Sequence, residues 1–137
     1  MKKYELQPTD LRTPGGNPLF QVVALRDFGS VLKGDKGGYV ESVANLSHNG
    51  NCWVSGSAWV FSNAWVSDNA WVFDDARVFD DAWVYGYAQV YGSACVFGAA
   101  QVYGSACVFG AAQVYGSACV FGAACNHENC PKCGVKL

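Results

Sequence analysis

Charge is scarce in this chain of 137 residues: nine Lys and Arg stand against eleven Asp and Glu, a formal net charge of −2. Without a basic excess there is no broad attraction to nucleic acid or to anionic lipid. Histidine is scarcer still, with only His48 and His127, so few residues could serve as a general base. No apolar run approaches a membrane span, and the opening MKKYELQPTD lacks the apolar centre of a signal peptide. The expectation is a cytoplasmic, soluble protein with neither nucleic-acid nor membrane partners. Nothing offers a nucleophile–base pair or a phosphate-cradling loop. What the chain does have is apolar residues, 51% against 15% charged. That balance argues for a folded chain, and the length suits one domain.

The dominant feature is a run of six-residue repeats from Cys52 to Ala123: CWVSGS, AWVFSN, AWVSDN, AWVFDD, ARVFDD, AWVYGY, AQVYGS, ACVFGA, then AQVYGS and ACVFGA twice more. Each hexad carries Val third, from Val54 to Val120, and all but the first open with Ala. In extended chain, positions one and three share a side. Small Ala and β-branched Val therefore mark the dry interior, and positions two and four face outward. The fifth position is always Gly, Asp or Ser and the sixth Ser, Asn, Asp, Ala or Tyr, which is turn chemistry because Gly, Asn and Asp accept a left-handed backbone at low cost. Short strands alternating with corners make an all-β solenoid. A helix is excluded, because a six-residue period does not hold one face at 3.6 residues per turn.

The hexads resemble those of the hexapeptide-repeat superfamily, which implies a left-handed parallel β-helix of triangular section with three hexads per coil, about four to five coils here. Upstream, ALRDFG, V-x-x-GD-x-GG-Y-V-ES and NLS-x-x-GNCWV resemble the opening of the YdcK-like bacterial and prophage β-helix proteins. That resemblance implies a fold and assigns no chemistry. Residues 1–37 read as an N-terminal arm and capping strands: a loosely held arm to Gly16, then a strand over Leu19–Phe28. The solenoid spans 38–124. Two earlier hexads start at Gly38 and Ala44, with two extra residues widening the corner near Gly50. Cys52 points inward as a small hydrophobe.

The tail, 125–137, changes chemistry. Cys125, His127, Cys130 and Cys133 lie within nine residues, and C-P-x-C-G is a zinc-knuckle pattern, so a structural Zn²⁺ held by these four is expected. A redox-active or free thiol set, or no site, are the alternatives. A zinc there would cap the open edge of the last coil. At three hexads per coil, Cys107 lies one rung beneath Cys125, while Cys95, Cys107 and Cys119 fall on different faces. Asp68, Asp74, Asp75, Asp80 and Asp81 spread around the corners of one coil as a solvated acidic belt, without the convergence a calcium site needs.

The same count stacks the outward aromatics into columns. The candidate interaction surface comprises Trp53, Trp59, Trp65, Trp71, Trp83, Phe79, Phe97, Tyr91 and Tyr103, with Trp59 over Arg77 suited to a cation–π contact. Such area is rarely exposed on a soluble monomer. Either the ladders serve only to stabilise stacked rungs, or they dock another molecule. The leading expectation is a non-catalytic structural or protein-interaction solenoid that self-associates through aromatic faces, a homo-oligomer with a trimer favoured, and no catalytic residues. Carbohydrate binding by stacking is an alternative. So is an acyltransferase-like enzyme, which the resemblance would furnish with a histidine base between subunits.

Overall fold

The computed structural model describes residues 3–117 and 119–121, together with the backbone of Cys125–Asn126. It is an all-β parallel solenoid of about four coils, preceded by an antiparallel hairpin. Strand β1 (Tyr4–Arg12) pairs with β2 (Pro18–Ala24), and β2 pairs with β3 (Lys36–Val40). β3 is the point of entry: its Tyr39 and Val40 pair in parallel with Trp59 and Val60. The glycines there are forced by contact, since a Cβ on Gly38 would lie 2.7 Å from the Ala58 carbonyl oxygen.

From Trp53–Val54 to Cys119–Val120 follow twelve two-residue strands, one per hexad. From Trp53–Val54 to Cys107–Val108 each pairs in register with the strand eighteen residues on, as in Trp53↔Trp71 and Val54↔Val72. Three hexads therefore close one coil, and three sheets form, here called the Arg77, Trp71 and Trp83 faces. Every Val from Val54 to Val120 is fully buried, as are the position-one alanines from Ala58 to Ala106. Hydrogen bonds such as Trp59 N–H to the Ala76 carbonyl (3.0 Å) satisfy each coil from the next.

The corners follow the fifth position. Gly56, Ser62, Asp68, Asp74, Asp80 and Gly86 all have φ between 57° and 69°, the left-handed region that Gly occupies freely and Asp tolerates. Three of the aspartates recover that strain. The carboxylates of Asp68, Asp74 and Asp80 accept from the backbone N–H of Gly86, Gly92 and Gly98, one coil on, at 3.1 to 3.2 Å. The acidic belt is thus part of the corner bonding as well as solvent-facing.

Several expectations need correction. The loosely held arm is instead β1, because Tyr4 and Leu6 turn toward the core and the backbone pairs along β2. The second strand stops at Ala24, where the chain bends, and not at Phe28. Ala44 is exposed, while its neighbour Asn45 is buried. Ser42 caps a single 3-10 turn over Val43–Asn45, which tightens the chain and turns Asn45 inward. Asn45 is accepted there because it is saturated. Its Oδ1 accepts from Glu41 and Ser42 N–H, and its Nδ2 donates to the Ser62 and Ala64 carbonyls. The widened corner is as expected: Leu46 meets Val66, twenty residues away instead of eighteen. At the other end the ladder runs past Ala124, with Cys125–Asn126 paired to Cys107–Val108. Backbone pairing does not need a Val at 126.

Candidate functional site

Position-four rings stack face to face along each sheet. On the Arg77 face the column is Phe61, Phe79, Phe97 and Tyr115, with successive centroids 5.0 to 5.5 Å apart. The other two faces carry Phe73, Tyr91 and Phe109, and Tyr85, Tyr103 and Phe121, at 4.8 to 5.5 Å. Interplanar angles stay at or below 14° in all three columns. The rings thereby use their faces on one another and turn their edges outward, as in-register pairing on parallel strands dictates.

The expected surface residues divide. Trp53 is removed from the set: it is only 2% exposed, held between Phe28 and Tyr4, because the N-terminal segment covers its rung. Trp59, Trp65 and Trp71 are half-buried, as are Phe79, Phe97, Tyr91 and Tyr103 within their ladders. Trp83 is 49% exposed, and Tyr87 at the adjoining corner is 68% exposed. Phe121, at the far end of the same face, is also open to solvent. On the outer faces, Trp83 and Phe121 are thus exposed on the Trp83 face and Tyr115, at 46%, on the Arg77 face. The Trp83 face pairs Trp65 with Trp83 in register and carries no charged residue at positions two and four. On the Arg77 face the guanidinium of Arg77 lies 4.3 Å from the Trp59 ring centroid, the anticipated cation–π contact.

A polar cluster that no sequence pattern marks lies under the cap. Lys3 is fully buried, and its ammonium donates to the Cys52 carbonyl at 2.7 Å and to the Cys52 sulfur at 3.4 Å. It also stands 4.7 Å above the Phe28 ring. Burial lowers the Lys3 pKa and raises that of Cys52. His48 stacks on Tyr4 with centroids 4.1 Å apart, and its Nδ1 accepts from the Lys3 N–H at 3.1 Å. The Tyr4 hydroxyl donates to the Leu46 carbonyl. The contacts to Leu46, His48 and Cys52 span more than forty residues, and no local spacing announces them.

His127, Cys130 and Cys133 of the expected metal set lie outside the described residues, and only the backbone of Cys125 is described. That backbone falls where counting hexads put it, opposite Cys107. Among the described residues no group of three His, Cys, Asp or Glu is arranged around a common point, and no helix is long and apolar enough to cross a membrane. Comparison of the chain with protein-family models and with curated proteins gives no match.

Proposed function

We propose that the chain is a non-catalytic interaction solenoid that assembles with copies of itself through the Trp83 face. The observation that carries this reading is the exposure of Trp83 and Phe121 on one sheet with no charge at positions two and four, with Tyr87 exposed at its corner. Burying apolar area yields about 25 cal/mol per Å². A patch of roughly 300 Å² thus contributes about 7 kcal/mol, before the entropy of association is subtracted. Cyclic closure is the usual solution for soluble homo-oligomers, and a trimer with parallel axes is favoured by the resemblance to hexapeptide-repeat, YdcK-like proteins. We place the chain with that left-handed group on its hexads, and a bacterial or prophage origin is what the same resemblance suggests.

Sugar stacking is the weaker alternative, because ladder rings whose faces are already paired offer edges where a pyranose needs a face. The acyltransferase reading lacks support at His48, whose Nδ1 already bonds Lys3 while its ring stacks on Tyr4. At the C-terminal end we assign Cys125, His127, Cys130 and Cys133 to a structural zinc, a donor set suited to a closed tetrahedral site. Light scattering on the full chain at micromolar concentration tests the assembly. The wild type is expected to run as an oligomer, and the Trp65→Glu/Trp83→Glu double variant as a folded monomer. A monomeric wild type removes the reading and leaves the ladders as rung-stacking devices.

A further inference from the structure

We propose that the cavity between the hairpin loop and the Arg77 face binds a small monocarboxylate with an apolar body, the chemistry of an apolar amino acid or arylalkanoic acid. The cavity measures about 430 Å³, within the roughly 300–1,000 Å³ of small-molecule sites. Its floor is the Phe61–Phe79 pair, its overhang the loop around Thr13 and Asn17, and its one cation Arg77.

The cavity is built and held. Asn17 Nδ2 donates to Glu41 at 3.1 Å, and the other oxygen of that carboxylate accepts from Ser62 N–H at 2.9 Å. The loop is thereby tied to the corner that borders the floor. Within the loop, Thr13 and Asn17 exchange two further bonds, at 2.8 and 3.2 Å. A wall fixed before binding lowers the ordering entropy that a ligand must overcome.

Arg77 supplies the specificity. Position two reads Trp at 53, 59, 65, 71 and 83, and Arg77 alone breaks that run. The break falls on the rung beneath the overhang. Stacking on Trp59 occupies one face of the guanidinium and leaves its in-plane N–H donors for a bidentate acceptor. Among the described residues the Arg77 guanidinium has neither a hydrogen bond nor an ion pair; only the backbone N–H is bonded, to the Ala94 carbonyl. Asp80 also lines the cavity, so the local charge is balanced. That balance favours a single carboxylate over a phosphate dianion, which would meet the Asp80 carboxylate at a cost the single Arg77 does not offset. Phe61 and Phe79 take the apolar body.

Isothermal titration of the full chain tests this with four probes: L-phenylalanine, 3-phenylpropanoate, 2-phenylethylamine and phenyl phosphate. At least one of the two carboxylates is expected to bind, and the amine and the phosphate to bind at least tenfold more weakly. Arg77→Gln is the informative variant, since Gln89, Gln101 and Gln113 already occupy position two elsewhere in the solenoid. It should leave the melting temperature nearly unchanged and weaken carboxylate binding tenfold or more, with Arg77→Lys intermediate. Three results would each overturn the proposal: no heat from either carboxylate at millimolar concentration, phenyl phosphate binding as tightly as the better carboxylate, or an unchanged Kd in Arg77→Gln.

Discussion

The ammonium of Lys3 sits 3.4 Å from the sulfur of Cys52, with both residues fully shielded from solvent. This contact ties the first described residue to the first repeat, and it makes stability depend on pH. Desolvation, aided by nearby Arg26, holds the Lys3 pKa below the ordinary 10.5. The unfolded chain therefore binds more protons between those two values, and stability rises with pH across that window. Desolvation also raises the Cys52 pKa above 9.0 and the Tyr4 pKa above 10.0. The folded state keeps those protons longer, so each opposes the rise above its ordinary value. Denaturant unfolding followed from pH 6 to 11 should show a climb that slackens and reverses at the alkaline end. Lys3→Met should flatten the climb. An identical pH dependence in both proteins below pH 10.5 would contradict the assignment.

Asn45 is the second point of vulnerability. It bonds two N–H groups and two carbonyls at the irregular corner, and each buried polar group left unpaired costs about 1–3 kcal/mol. Asn45→Ala should destabilise the chain by about 3 kcal/mol or more. Asn45→Asp keeps the acceptor but loses both donated bonds, so it should not rescue. A loss below about 1 kcal/mol by denaturant titration would mean that water replaces the side chain.

Legibility in the sequence followed the period. Val54 to Val120 and the left-handed corners at Gly56 through Gly116 could be read from hexad position alone, because each rung repeats one local environment. Counting by eighteen likewise placed Trp59 over Arg77 and Cys107 beside Cys125. Where the period lapses, non-local contacts decide. Tyr4 becomes a strand residue because Leu46 and His48 receive it. Trp53 leaves the surface because the segment carrying Tyr4 and Phe28 covers it. Ala44 and Asn45 exchange roles because one capped turn rotates the chain. The Arg77 cavity needed the position of a loop sixty residues away, which no pattern around Arg77 contains.

The tail offers a test that does not depend on the faces. With Cys125, His127, Cys130 and Cys133 as donors, purified protein should carry about one zinc per chain. Chelation or Cys133→Ser should remove the metal and lower the melting temperature, since the terminal coil loses its cap. Zinc-free protein whose stability is indifferent to added Zn²⁺ would refute this.

The most direct probe of the architecture is deletion within the tandem block. Because every hexad offers the core the same Ala and Val, the solenoid should be indifferent to which hexads it holds and sensitive to their phase. Removing Gln101–Ala106 returns each later Val to an inward position and shortens the stack by a third of a coil. The loss should be confined to nearest-neighbour terms, a modest fall in melting temperature. Removing only Gln101–Ser105 shifts every later residue by one position. Val108, Val114 and Val120 then leave the interior, at about 1.5–3 kcal/mol for each buried Val exposed, and Phe109, Tyr115 and Phe121 fall on the left-handed corner position that Gly occupied. The five-residue deletion should therefore unfold the C-terminal coils, read as lost far-UV β signal and rapid proteolysis beyond Gly98. If both deletions are tolerated equally well, the core is not held by the Ala and Val positions, and the packing described for this fold is wrong.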